Sequence, residues 1–222
     1  MKSISVVINA RLGSTRVKNK LMRPFSDSCL IEIALKKLDK MDFFENRYLA
    51  VAEESLIELA DKYENISILK RRSEAVIPGV NPQSVTFAHY LDVPSDYIFV
   101  FNPCLPMIGV KTIKAAHDYF QSTSHLSYTS SVDTHDWVFD SNGNALTNKN
   151  PANLTTNQGE SYSKAAHAFH IISKKVLKET GQHWTFAKND PHLVPIPREE
   201  TIDVDDILDF QFAEHYYINN KG

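Results

Sequence analysis

Residues 3–20 read SISVVINARLGSTRVKNK, and the fold is decided in this stretch. Ile4, Val6, Val7 and Ile8 form a short apolar run that closes at Ala10, and its β-branched residues predict a buried strand rather than a helix. A polar, basic loop follows at once. Arg11, Gly13, Ser14, Arg16 and Lys20 fall within ten residues, so backbone N–H groups, a hydroxyl and three cations converge just past a strand end. That set suits a strongly anionic guest such as a nucleoside triphosphate. It is neither of the two commoner phosphate cradles. A Walker loop needs a glycine directly before Lys-Ser/Thr and a dinucleotide fingerprint needs three glycines, whereas this loop has Gly13 alone.

Outward from this stretch the chain alternates. Ile31, Ala34, Leu35, Leu38 and Met41 have the spacing of one helix face, and 48–52 reads as a strand. Leu56, Leu59, Ala60 and Tyr63 make a second helix face before a strand at 66–69. Asn81-Pro82 predicts a helix start for 84–91, followed by an apolar strand at 97–101. Val110, Ile113, Ala116 and Phe120 predict another helix, then a strand near 126–132. Such a β-α-β-α series predicts an α/β fold, a single Rossmann-like domain over 1–222 with a mostly parallel central sheet flanked by helices.

The pattern breaks at 133–164, where Asn, Thr, Ser, Asp and Gly accumulate. Asn142-Gly143 is a hairpin signal between Trp137-Val138-Phe139 and Ala145-Leu146, which makes the segment a β-excursion inserted into the domain. Regular structure resumes at 165–172 and 176–177. An excursion of this length in a parallel α/β domain is usually functional.

Composition bounds the partners. The chain has 222 residues and a formal net charge of -3, with no long run of one sign, so nothing predicts a nucleic-acid surface and anion binding must be local. No apolar run approaches the length of a membrane span, and the expected location is cytoplasmic. Cys29 and Cys104 lie far apart and are expected to be reduced thiols.

Ala10-Arg11-Leu12-Gly13-Ser14-Thr15-Arg16, with Lys20 and Leu21 behind it, resembles the N-terminal signature of the CMP-sialic acid synthetase (acylneuraminate cytidylyltransferase) family. Four later stretches extend the resemblance in the right order and spacing. Arg71-Arg72-Ser73-Glu74 is similar to the family's Arg-x-x-Glu segment, which borders the nucleotide base. Asn102-Pro103-Cys104-Leu105-Pro106 stands where the family has Gln-Pro-Thr-Ser-Pro, and Gln158 with Tyr162 falls in a stretch similar to Arg-Gln-Asp-x-x-x-x-Tyr. Ile202-Asp203-Val204-Asp205, with Asp209, Phe210, Ala213 and Glu214, resembles the closing Asp-Ile-Asp segment. The resemblance implies a nucleotide site at Ala10, Arg11, Leu12, Gly13, Ser14, Arg16, Lys20 and Arg71. It also implies an acceptor site at Asn102, Gln158 and Tyr162, and a homodimer paired through the excursion.

The implied reaction is CTP-dependent transfer of CMP to an acidic sugar of the sialic, nonulosonic or Kdo type, with release of pyrophosphate. Displacement at phosphorus is catalysed by positioning and charge neutralisation. Arg11 and Lys20 are the catalytic cations. Asp203 and Asp205 are the expected ligands of Mg²⁺, which takes hard oxygens and commonly one or two carboxylates. Two apart on an extended segment, they share a side. Asp206 is a helix cap. Nine histidines do not make a zinc motif, and His167 and His170 would point to opposite faces of a strand. Cys104 carries no nucleophilic role, and Trp137 and Trp184 belong to core or interface.

Departures from the family gather on the acceptor side. Pro106-Met107-Ile108 lacks the cation of Pro-Leu-Arg, Asn102 replaces glutamine, Ile77-Pro78-Gly79 replaces Ala-x-Asp, and Ala52-Glu53 replaces Thr-Asp. A phosphonate or a phosphorylated small acid is therefore an alternative acceptor, and a catalytically inactive nucleotide-binding homologue is a further alternative. A nucleotide-sugar glycosyltransferase would carry its Asp-x-Asp soon after the central strands, not near the C-terminus.

Overall fold

The computed structural model describes residues 1–76, 82–147, 150, 152 and 155–220. Strand β1, Ile4–Asn9, is the centre of a seven-stranded sheet. Its neighbours are β4 (Arg47–Val51) and β6 (Tyr97–Phe101), both parallel to it, with β5 (Ser67–Lys70) parallel beyond β4. On the other side β8 (Tyr162–Ser173) runs antiparallel to β6, β7 (Tyr128–Thr134) antiparallel to β8, and β9 (His192–Pro195) parallel to β7 at the edge. The order is β5-β4-β1-β6-β8-β7-β9, and four of the six pairings are parallel. A two-residue ribbon, β2 (Pro24–Phe25) with β3 (Ser28–Cys29), lies apart from it.

Alternation along β1 builds two cores. Val6 and Ile8 face a large cluster with Leu35, Phe99, Phe120 and Phe169, while Val7 faces a smaller one with Tyr90, Ile98 and Leu177. Because both faces are covered, the strand is apolar but for its end at Asn9 and for Ser5, which is fully buried and satisfied by the Ser95 hydroxyl at 2.6 Å. Helix α1 (Leu30–Asp39) buries Leu30, Ile31, Ile33, Ala34, Leu35 and Leu38, and α5 (Val110–Ser122) buries Ile113, Ala116 and Phe120. Helix α2 (Glu54–Ala60) adds Leu56 and Ala60 to the same large cluster, while the 3₁₀ turn Ala88–Asp92 supplies Tyr90 to the smaller one, next to two single turns, α3 (Ser73–Val76) and α4 (Gln83–Thr86). The predicted 84–91 helix is thus split in two, and Asn81, its predicted start, lies outside the described residues.

Helix α6, Lys174–Thr180, ends at Gly181 in the left-handed region (φ 71°), whose N–H bonds to the Leu177 carbonyl at 2.8 Å. The last helix, α7 (Ile207–Asn219), packs Phe210 and Tyr217 edge-on against Phe25, at 5.3 and 5.5 Å between centroids. Strand β9 has no counterpart in the sequence reading. It is four residues ending at Pro195, which only an edge strand tolerates, and Pro191 sits just before it.

The excursion between β7 and β8 contains the expected hairpin. Phe139 bridges Ala145, Gly143 has φ 83°, and the Asp140 carboxylate accepts the N–H groups of Asn142 (2.9 Å) and Asn144 (2.8 Å). Trp137, Phe139 and Leu146 are about half exposed on it. No helix among the described residues is long and apolar enough to cross a membrane.

Candidate active site

The carboxyl ends of β1 and β6 adjoin where the chain, having run outward through β4 and β5, returns to the other side of β1. Open α/β sheets place their ligands at such a point. There Asn9, at the end of β1, and Asn102, just past β6, line a cleft with two lobes.

The first lobe, about 250 Å³, is walled by Arg11, Ser14, Thr15, Arg16 and Lys20. Ala10, fully buried, donates its N–H to the Ala50 carbonyl at 3.0 Å and so anchors the loop. Leu12 gives its N–H to Glu53, Gly13 is exposed at the turn, and the Ser14 N–H bonds to the Leu12 carbonyl at 2.8 Å. Arg16 meets Asp205 at 2.7 Å, with side chains 65% and 48% exposed, and Lys20 Nζ is 3.9 Å from the same carboxylate oxygen. A pair so exposed is worth less than about 1 kcal/mol and yields readily to a phosphate oxygen. Lys20 is held more firmly, donating to the Val204 carbonyl.

The C-terminal acids divide into two sets. Asp206 accepts the N–H groups of Leu208 (2.8 Å) and Asp209 (2.9 Å), and Asp209 accepts those of Asp205 (3.1 Å) and Asp206 (3.0 Å), closing a capping box on α7. Asp203 and Asp205 are elsewhere. Val204 between them is fully buried and donates its N–H to the Cys104 carbonyl at 3.0 Å, so its two neighbours turn together into the cleft. Asp203 Oδ1 is buried without a hydrogen-bond partner, and burial together with the Asp205 charge pushes this carboxyl up to about 6. A buried, unsatisfied oxygen beside a second carboxylate is a donor set that a hard divalent cation suits. Cys104 lines the first lobe, and burial raises its thiol pKa, which leaves it protonated and without nucleophilic character.

Arg71 extends from the end of β5 to the base of the loop. It donates from Nη2 to the Ala75 carbonyl (2.9 Å) and from Nη1 to the Ala10 carbonyl (3.5 Å). Beneath the cleft Asn9 joins His89 (2.9 Å) and the Tyr90 hydroxyl. Burial, with the Arg71 charge next, depresses His89 to about 3, so the imidazole is neutral.

The second lobe, about 420 Å³, is lined by Asn102, Phe87, His167, His170, His183, Asp203 and Asp205 among others. Its shape comes from a break in the β7–β8 ladder. Between the pairs Thr129–His170 and Ser131–Ala165 the register shifts, His167 takes φ 55°, and Ser130 Oγ accepts the N–H groups of Ala168 (2.9 Å) and Phe169 (3.2 Å). The bulge brings the rings of His167 and His170 within 5.6 Å, which corrects the expectation that they face opposite ways. The regular period of two fails where the ladder does. Asn102 fixes the bulge by donating to the His167 carbonyl at 3.0 Å and accepting the Cys104 N–H at 2.9 Å. One amide hydrogen and one lone pair remain for a ligand. His183 is 8% exposed, and its Nε2 has no partner.

Of the three expected acceptor residues, the cleft includes Asn102 alone. Tyr162 opens β8 with its hydroxyl donated to the Asp136 carbonyl at 2.6 Å, and Gln158 sits in the 3₁₀ turn Thr156–Gln158. Both are carried with the excursion, and neither lines either lobe. Asn9 and His183 were not singled out by sequence. Asn9, a polar residue closing an apolar strand directly before the loop, was a usable signal, whereas His183 had none.

Comparison with known proteins agrees with this geometry. The family model for cytidylyltransferases matches residues 5–174. Among solved structures the chain is similar to a CMP:2-keto-3-deoxy-manno-octonic acid synthetase complexed with CTP, with a TM-score of 0.72, 12% identity and 99% of both chains covered. It is also similar to the 4-diphosphocytidyl-2C-methyl-D-erythritol synthase of Anaerococcus prevotii, with a TM-score of 0.66, 14% identity and coverage of 98% and 99%. A cytidylyltransferase from Leptospira borgpetersenii matches with a TM-score of 0.61, 17% identity and coverage of 100% and 89%. No curated protein matches significantly. The motif at the end of β1, the sheet and the family model agree, and the chain belongs to the cytidylyltransferase family of CTP-using nucleotidyltransferases.

Proposed function

We propose that the chain transfers CMP from CTP to an acidic sugar of the sialic, nonulosonic or Kdo type, releasing pyrophosphate, with Mg²⁺ as cofactor. One observation carries this reading: three loop cations and the Asp203–Asp205 pair meet in a single cleft, within 2.7 to 3.9 Å at Arg16, Lys20 and Asp205. The acceptor hydroxyl oxygen forms a bond to the α-phosphorus and gives up its proton to solvent, the bond to the bridging oxygen breaks, and pyrophosphate leaves with the electron pair. Arg11 and Lys20 neutralise charge on that leaving group, Ser14 and Arg16 hold the triphosphate, and Arg71 lies beside the base. Fixed charges of this kind need no reorganisation during reaction. Asp203 and Asp205 would hold Mg²⁺, which supplies positive charge to the phosphate oxygens. Asn102 orients the acceptor from the second lobe. The excursion, with Trp137, Phe139 and Leu146 exposed, supports a homodimer, and a cytoplasmic location fits the absence of a membrane-length helix among the described residues.

A second acceptor class has its own support. Met107 and Ile108 stand where a cation is common in the family, and the similar synthase from A. prevotii is named for a methylerythritol product. Pyrophosphate release from CTP and Mg²⁺ with a panel of acidic sugars, phosphonates and phosphorylated polyols decides between the two. Turnover with the sugar acids is expected. Pyrophosphate with none of the panel, despite bound CTP, would favour an inactive homologue.

A further inference from the structure

The two lobes of the cleft meet along a wall made by Asn9, Asn102 and Pro103, which line both. With the loop cations in one lobe and the histidines in the other, a group passed between them crosses this wall. Pro103 has no N–H to offer, and Asn102 is tied to the second lobe through the His167 carbonyl and the Cys104 N–H. The contacts of Asn9 come from beneath instead.

Asn9 ends β1 two residues after Val7, so its side chain falls on the face of the smaller core, where Tyr90 is packed. Tyr90 is fully buried and His89 is 4% exposed, their rings edge to face at 4.5 Å. Burial keeps the imidazole neutral, with a single ring hydrogen. Nε2 donates it to Asn9 Oδ1 at 2.9 Å, which leaves Nδ1 bare and buried with no hydrogen-bond partner. Asn9 Nδ2 donates in turn to the Tyr90 hydroxyl. A primary amide has two hydrogens and two oxygen lone pairs, so one of each is spent below and one N–H stays open at the wall. Two buried partners fix the amide plane, and a donor held in advance needs no reorganisation when charge develops beside it.

Displacement at phosphorus runs in line, with the attacking and leaving oxygens on opposite sides. Pyrophosphate among the cations and an acceptor beside Asn102 therefore put the α-phosphorus between the lobes, at the Asn9 amide. We propose that Asn9 grips the reacting phosphate, its free amide N–H donating to one non-bridging oxygen of the α-phosphate while the acceptor oxygen attacks from the second lobe. The proposal rests on the CTP reading above and adds to it a neutral donor at the reacting atom. The bond is to an anionic oxygen, so it is charge-assisted, and it singles out one of two oxygens that are otherwise alike.

The test is calorimetric and needs no acceptor. CTP, inorganic pyrophosphate and the two isomers of CTP carrying sulfur in place of one non-bridging α-oxygen are titrated with Mg²⁺ into wild type and Asn9→Ala. Sulfur accepts hydrogen bonds weakly, so wild type is expected to bind one isomer ~10-fold less tightly than the other. In Asn9→Ala CTP should weaken ~10-fold or more, pyrophosphate should bind as in wild type, and the two isomers should differ by less than ~2-fold. A purely structural role for Asn9 would weaken CTP, both isomers and pyrophosphate alike and leave the isomer ratio at its wild-type value. That result overturns the proposal while leaving CTP binding in place. Should the variant not fold, wild type still decides. Equal affinity for the isomers overturns the proposal, as does a preference that reverses when Cd²⁺ replaces Mg²⁺ and so belongs to the metal, whereas a preference that persists in Cd²⁺ supports it. A wild type that binds no CTP overturns both this proposal and the reading on which it rests.

Discussion

The two halves of the sheet were made by different rules. From β5 through β4 and β1 to β6 every pairing is parallel and each strand is short, and the two central strands, β1 and β6, are the most buried. From β8 through β7 to β9 the ladder is mixed, a bulge breaks it at Ser130, and polar residues such as Ser130, Ser131 and Thr129 are buried in it. The regular half brings strand ends and three cations, Arg11, Arg16 and Lys20, to one lobe of the cleft. The irregular half shapes a pocket from a break in its own ladder. The lobe walled by Arg11, Arg16 and Lys20 thus rests on generic strand ends, whereas the lobe lined by His167, His170 and His183 depends on a few specific contacts around one bulge.

The largest effect expected is on the cation side. Asp205→Asn preserves shape but removes a charge on which the proposed Mg²⁺ site would depend, so the proposal predicts a fall in pyrophosphate release of ~10²-fold or more while the melting curve hardly moves. An unchanged rate with unchanged Mg²⁺ dependence would remove the pair from the chemistry. Ser130→Ala probes the other half. It strips two N–H groups, those of Ala168 and Phe169, of their buried acceptor and should cost about 1–3 kcal/mol in a denaturant titration. The acceptor KM should rise while the CTP KM holds. If both constants rose together, the two halves would not be separable.

Acid stability sharpens the contrast further. His89 and His183, each more than nine-tenths buried, are pushed by burial to about 3 and about 4. Their folded pKa values lie below the unfolded one near 6.5, so the unfolded chain binds more protons between these limits. The neutral-imidazole contribution is complete above about pH 6.5 and is lost as pH falls, on the order of 2 kcal/mol per histidine by pH 5. Asp203, raised to about 6, acts in the opposite sense, returning on the order of 1 kcal/mol over the same interval. The net expectation is a melting temperature that drops from pH 7 to pH 5, with a shallower drop in His183→Asn. The smallest effect belongs to the excursion. Gly143→Ala forces a side chain into φ 83° with open space around it, for about 1 kcal/mol and no change in catalytic constants.

Legibility followed the same division. Strand β6 was predicted to the residue and β1 nearly so, because β-branched runs bounded by turn residues have few other readings. That Arg11, Arg16 and Lys20 share one loop could be read from spacing, that Asp206 caps the last helix could be read as well, and the setting apart of Asp203 and Asp205 came from the resemblance. The rest could not. Strand β9 is four residues bounded by prolines, and the lobe lined by His167, His170 and His183 exists only because a ladder slips by three residues. No local periodicity records such a slip. Tyr162 matched a motif yet lies off the cleft, since the residues between it and the bulge set its distance.

The central question is whether one cleft joins CMP to an acceptor. The direct measurement is mass spectrometry of a reaction holding the protein, Mg²⁺, all four nucleoside triphosphates and the acidic-acceptor panel, with pyrophosphate assayed in parallel. The predicted result is a single CMP conjugate of one acceptor class, formed one for one with pyrophosphate and absent when CTP is omitted. Conjugates of AMP, GMP or UMP at comparable yield, or pyrophosphate without any conjugate, would contradict it.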